Sequence, residues 1–192
     1  MKWFLLALVV SSAAWARTPK HPALDPTRWF ALRAGLVRIY EGRAPSAGKD
    51  MPRAGASCEV LEAKPRERSV KESCVTIVAR QARPATQITY QLRKDGIWSA
   101  AAEGQKERLV LPAPLRVGSN WREAREAAQL DRTVRSAGGA CKAAGRSFVD
   151  CLVLSVTQRQ GKKVLRRYTE TYAAGVGLVE DAQWQLIDVK GL

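Results

Sequence analysis

Alternation of apolar and polar residues with a period of two restricts this chain more than any other feature. Ile88, Tyr90 and Leu92 alternate with Thr89, Gln91 and Arg93, and Leu152, Leu154 and Val156 repeat the pattern downstream. Successive side chains leave a strand on opposite faces, so this period predicts strands with one buried and one wet face. Leu36–Glu41, Cys58–Leu61, Cys74–Arg80, Arg108–Leu111, Val164–Tyr172 and Trp184–Val189 are further short strand candidates. Asp95-Gly96, between Leu92 and Ile97-Trp98, predicts a tight hairpin because both residues tolerate positive φ. Gln160-Gly161 predicts another turn. Many short strands joined by turns cannot remain a flat sheet. The expected fold is mainly β: a curved antiparallel sheet or half-open barrel, with at most one or two short helices. Its concave face is either a packed core or a ligand pocket. The helical candidate is 121–130, where Asn120 can cap and Glu123 can reach back. The alternative there is a strand running into Arg132-Thr133-Val134.

The first sixteen residues predict a cleavable export signal. Lys2 precedes the apolar run Phe4–Val10, and Ala14-Trp15-Ala16 places small residues before Arg17. The run is shorter than the ~20 residues a membrane-spanning helix needs. No later stretch is long and apolar enough to span, and no cysteine occurs before Cys58 to carry a lipid. Residues 17–28, with three prolines, predict an extended linker. Pro45, Gly48, Pro52 and Gly55 predict a loop over 44–56. Residues 29–192 are expected to form one β-rich domain of a size that suits a single core. The expected location is the periplasm or the exterior of the cell.

Cys58, Cys74, Cys141 and Cys151 are an even set in a chain expected to be exported, which points to disulfides. Of three connectivities, Cys58–Cys74 and Cys141–Cys151 are favoured. Each pair brackets a turn-rich segment, Lys64-Pro65-Arg66-Glu67 in one case and Ala144-Gly145-Arg146 in the other. No Cys-x-x-Cys pair or neighbouring histidine supports a metal site.

The formal charge is +14. In an exported chain with no basic block interleaved with aromatics, nucleic acid is not the expected partner. An acidic envelope component, a lipid or a protein, is expected instead, with plain solubility as the alternative.

Three segments carry a resemblance. They are Pro114-Leu115-Arg116-Val117-Gly118-Ser119-Asn120-Trp121, Ala144-Gly145-Arg146-Ser147-Phe148-Val149-Asp150-Cys151, and Tyr172-Ala173-Ala174-Gly175-Val176-Gly177-Leu178-Val179. In order and spacing the chain resembles a loose group of uncharacterised exported bacterial proteins with Pro-Leu-x-x-Gly-x-x-Trp, Ala-Gly-x-Phe-x-x-Cys and Gly-Val-Gly-Leu-Val motifs. Trp29-Phe30-Ala31-Leu32-Arg33-Ala34-Gly35 is a fainter match. The resemblance implies a curved sheet reminiscent of periplasmic lipoprotein carriers and no particular activity. Ala143 replaces the proline common before Ala-Gly, and the lipid-anchoring cysteine is missing, so membrane attachment does not carry over.

Catalytic signals are weak, and no catalytic residue, metal or cofactor is assigned. His21, the one histidine, lies in the expected linker. Ser46-Ala47-Gly48-Lys49 matches Ser-x-x-Lys but is flanked by helix breakers. Gly175 and Gly177 lack the third glycine of a dinucleotide loop and are expected to serve a bulge or close approach. Glu170, Glu180 and Asp181 are the carboxylates a hydrolase would need. Tyr90, Trp98, Leu154 and Tyr168 are the candidate ligand-binding residues of a concave face. The expected function is a non-enzymatic binding or envelope-associated protein holding an apolar or acidic ligand. The alternatives are a structural module without a ligand and a carboxylate-dependent hydrolase.

Overall fold

The computed structural model describes residues 22–42, 54–100, 106–125 and 128–192. The signal segment, His21 and Ser46–Lys49 lie outside them. The strands are β1 Val37–Gly42, β2 Ala54–Lys64, β3 Ser69–Val78, β4 Gln81–Ala82, β5 Thr86–Arg93, β6 Gly96–Ala100, β7 Arg108–Pro112, β8 Asn120–Arg125, β9 Ala128–Ala143, β10 Arg146–Gln160, β11 Lys163–Ala173, β12 Gly177–Glu180 and β13 Trp184–Lys190. Twelve of them follow one antiparallel path, β7-β6-β5-β3-β2-β1-β13-β12-β11-β10-β9-β8, and β4 pairs with β3 off the path. The path curls until β7 and β8 approach one another without forming a backbone ladder. The fold is therefore an antiparallel barrel with one unsealed seam, and no α-helix occurs among the described residues.

The expected helix over 121–130 is instead the β8–β9 hairpin, with Trp121 opposite Arg132 and Glu123 opposite Leu130. Strand pairing buries Glu123 and Leu130 inside the barrel, and this tertiary gain outweighs local helix propensity. The expected loop over 44–56 gives way to β2 from Ala54 onward.

Turn chemistry fixes the hairpins. Ala144 and Gly145 both have positive φ and form the two-residue connection of β9 to β10, the twist a tight hairpin requires. In the β5–β6 hairpin Arg93 pairs with Gly96, so the turn residues are Lys94 and Asp95. Gly96 is glycine for a different reason: a Cβ there would lie 2.3 Å from the Leu111 carbonyl oxygen of β7. The β9–β10 ladder slips three times between Phe148 and Leu154. The slips break alternation, so Asp150, Cys151 and Leu152 are buried in succession. The Cys141–Cys151 disulfide staples these two strands there, and Cys58–Cys74 joins directly opposed residues of β2 and β3.

One end of the barrel is plugged by the segment before β1. Leu24 bridges Leu115 through bonds of 2.8 and 3.1 Å, and Pro26–Trp29 form a 3-10 turn capped by Asp25. Of the extended linker expected over 17–28, the described residues from Leu24 onward are docked and compact. Trp29, Leu36, Leu111 and Leu115 are fully buried. The Trp29 indole donates to Asp150 at 3.2 Å, and Arg28 pairs with the same carboxylate. Ile97, Val60, Val70, Val134 and Leu152 complete the apolar floor.

Candidate functional site

Above that floor the inward-facing positions are charged. In β9, Leu130, Arg132 and Val134 share the buried face, and in β11 so do Glu170 and Tyr172. β1 supplies Arg38 and Tyr40, β3 supplies Glu72, and β8 supplies Glu123. Charged side chains are rarely buried this fully without partners, and the partners are present. The Arg132 guanidinium grips Glu170 in a fork, with two bonds of 3.0 Å, and its remaining nitrogen reaches Glu123. Tyr172 donates to Glu170 at 3.1 Å. Arg108, from β7, faces Glu123 at 3.6 Å and so crosses the seam. On the other side Arg38 pairs with Glu72, which also accepts from the Tyr90 hydroxyl at 3.2 Å. The Arg38 Nε is buried without a hydrogen-bond partner.

Burial disfavours the phenolate at three of these tyrosines. Tyr172 is pushed well above the usual tyrosine range by burial and by the Glu170 charge. Tyr90 and Tyr40 rise too, chiefly from burial, with Arg38 pulling the other way. Burial alone would favour loss of the Arg132 proton, but Glu170, Tyr172 and Glu123 outweigh it, and Arg132 stays charged.

This ring walls a cavity of about 350 Å³. Phe30 reaches it from the plug, its ring 4.7 Å from that of Tyr90 in an edge-to-face contact. Ile88, Val110, Leu178 and Trp184 add apolar wall, and the Cys58–Cys74 disulfide lines one side. Cys58, Cys74 and Glu72 bring three potential metal-binding atoms within 4.8 Å of one another, but the two sulfurs are bonded to each other. A disulfide sulfur is not a thiolate ligand.

Of the four sequence-derived binding candidates, Tyr90 lines the cavity. Trp98 does not: it pairs with Gln91 on the outer face, under the Arg93 guanidinium at 5.4 Å and bonded to Asp95. The hairpin register decides this, since Tyr90 and Ser99 share the inner face and neighbours of either point out. Leu154 is fully buried opposite Glu170, within the packed core. Tyr168 is on the same strand face, with Arg166 over its ring at 4.9 Å, and is not part of the cavity wall. The three carboxylates do not converge. Glu170 and Asp181 line the cavity, while Glu180 pairs in register with Thr171 and Gln185. Asp181 is occupied in capping the amides of Gln183 and Trp184, both at 2.7 Å.

Sequence reasoning did not find Arg38, Glu72, Glu123 and Arg132. One signal was available: Leu130-x-Arg132-x-Val134 places an arginine in register with apolar neighbours, which marks a charge on the buried face.

No protein-family model and no curated protein matches the chain. A solved structure, that of a putative lipoprotein from Parabacteroides distasonis, shares the fold with a TM-score of 0.51 at 13% sequence identity. The likeness covers 84% of this chain and 98% of that one. At this identity it speaks for the fold alone. All four cysteines are paired and none is free, the condition of a protein held outside the reducing cytoplasm.

Proposed function

We propose that the chain is a periplasmic or secreted, non-enzymatic binding protein whose barrel cavity holds a small amphipathic ligand. The supporting observation is the unfilled interior: about 350 Å³ lies within the range of roughly 300–1,000 Å³ that small-molecule sites occupy. Phe30, Ile88, Val110, Leu178 and Trp184 offer the apolar share of the wall. Arg108 is the interior arginine best placed to meet an acidic group. It is 34% exposed and its ion pair is the long one, whereas Arg132 is fully engaged.

Mutual neutralisation of the buried ion pairs favours a second reading, a structural module whose interior needs no ligand. Native mass spectrometry of the mature protein, purified from an export host without reducing agent, separates the two. Two disulfides lower the mass by about four protons. Extra mass that dissociates on activation supports a carrier, and its disappearance in Val110→Trp, which fills the cavity, assigns it there. Apo protein in both forms, together with no thermal shift from fatty acids or other acidic amphiphiles, leaves the structural reading.

A further inference from the structure

We propose that the outer wall formed by β8 to β11 is a docking surface for an anionic lipid bilayer. This inference is independent of the cavity and holds whether or not a ligand fills it. The formal charge of +14 is unevenly spread over the molecule. On these strands the alternation that buries Glu123, Arg132 and Glu170 sends Arg122, Arg135, Arg159 and Arg167 to the outside, and Lys162 and Lys163 stand exposed at the β10–β11 turn. Among the described residues from 120 to 173, Asp131 is the one carboxylate that is not buried. Arg122 and Arg159 already hold it at 3.0 and 2.9 Å, and burial does not offset their pull, so it stays ionised. The opposite wall is mixed. There Lys64 lies 3.2 Å from Glu62 and 3.7 Å from Glu67, and Glu59 is exposed nearby.

The shape and chemistry of the basic wall favour a membrane over other polyanions. The cations are distributed over four adjacent strands of a convex barrel surface, which suits a plane of headgroups better than a single polymer chain. Leu165, 44% exposed, lies between Lys163 and Arg167 along β11. An apolar side chain flanked by cations suits the boundary between headgroups and acyl chains. The described outward-facing residues of these strands include no aromatic ring on which bases or sugars could stack.

The test is co-sedimentation of the purified mature protein with phosphatidylcholine vesicles, with and without added phosphatidylglycerol. Binding is expected only with phosphatidylglycerol, weakening as salt is raised to about 0.15 M and beyond. Each cation near an anionic surface contributes roughly fivefold in partitioning. The variant K162E/K163E/R167E should therefore lose about a hundredfold or more. The control R66E/R80E/R83E makes the same change in net charge on the far side and should retain most binding. Circular dichroism verifies that both variants fold. Equal losses in the two variants would reduce the effect to net charge and overturn the assignment. So would failure to bind phosphatidylglycerol vesicles at low salt, including the case where the protein binds only a soluble polyanion or an acidic protein.

Discussion

Arg132 is the residue on which the interior should depend most. Its side chain is 4% exposed, and those of Glu123 and Glu170 are 5% and 6% exposed. Arg132→Met keeps the length of the side chain and deletes its charge. Glu170 then loses both bonds of the fork and keeps the Tyr172 hydroxyl, and Glu123 loses its bond to the guanidinium. Breaking a buried ion pair by removing one partner costs about 3–5 kcal/mol, because a charge is stranded where water cannot solvate it. Against a total stability of roughly 5–15 kcal/mol, that brings the barrel near its limit. With a denaturant slope of about 2 kcal/mol per molar, the urea midpoint should fall by roughly 2 M, read by tryptophan fluorescence without reductant. Arg132→Met/Glu170→Gln should be more stable than Arg132→Met alone, since it also removes the stranded charge. If Arg132→Met costs less than about 1 kcal/mol, or the double variant is weaker than the single, the premise of a dry, coupled network is wrong.

Three further outcomes follow from the same structure. Tyr40, Tyr90 and Tyr172 have raised pKa values, so the folded state keeps protons that the unfolded chain gives up above its ordinary pKa of about 10. Stability should be level below that pH and fall as pH rises past it, and absorbance at 295 nm should show three of the four tyrosines ionising only as the barrel unfolds. Gly177 has a φ of +92°, and a Cβ there would meet the Arg38 guanidinium at 2.7 Å. Gly177→Ala should cost about 1–3 kcal/mol in thermal or urea unfolding, while Gly145→Ala, with nothing within 4 Å of its Cβ position, should cost less. Asp150→Ala orphans the buried Trp29 indole and releases Arg28. A loss of about 1–3 kcal/mol is expected, with earlier protease cleavage before β1, and unchanged cleavage kinetics there would contradict the docking of the plug by Asp150.

The parts of the fold legible in the sequence were those where one face stays wet. β5 and the middle of β10 alternate cleanly because Thr89, Gln91 and Ser155 face outward while Tyr90 and Leu154 face in. Disulfide pairing was legible for a related reason: neighbouring strands joined by short turns bring Cys58 opposite Cys74 and Cys141 close to Cys151. Three things were hidden. The β9–β10 slips place three consecutive residues inside, so no single period describes 148–154. The β8–β9 hairpin is built from Glu, Ala and Arg, whose local preference is helical. The site was hidden because its defining residues are charged, and charge by itself predicts exposure. Only the pairing partners, contributed from strands far apart in the chain, reverse that expectation, and the registers that bring Arg132 to Glu170 are tertiary facts.

The seam gives those charges a structural reason. β1 pairs with β13, so the first and last strands are zipped together, and the break falls mid-chain between β7 and β8. β7 is short and ends at Pro112, which offers no backbone donor, a composition suited to an edge. Where backbone pairing stops, Arg108 crosses to Glu123, Glu123 continues to Arg132, and Arg132 to Glu170 on β11. Side-chain ion pairs therefore tie the two free edges together and anchor them to the continuous part of the sheet. An apolar interior of equal volume could pack as tightly, but it would be indifferent to how β7 meets β8. Directional bonds from Arg132 to carboxylates on both β8 and β11 are not indifferent. The interior thus trades some hydrophobic stabilisation for a fixed geometry at the one place where the sheet does not close itself.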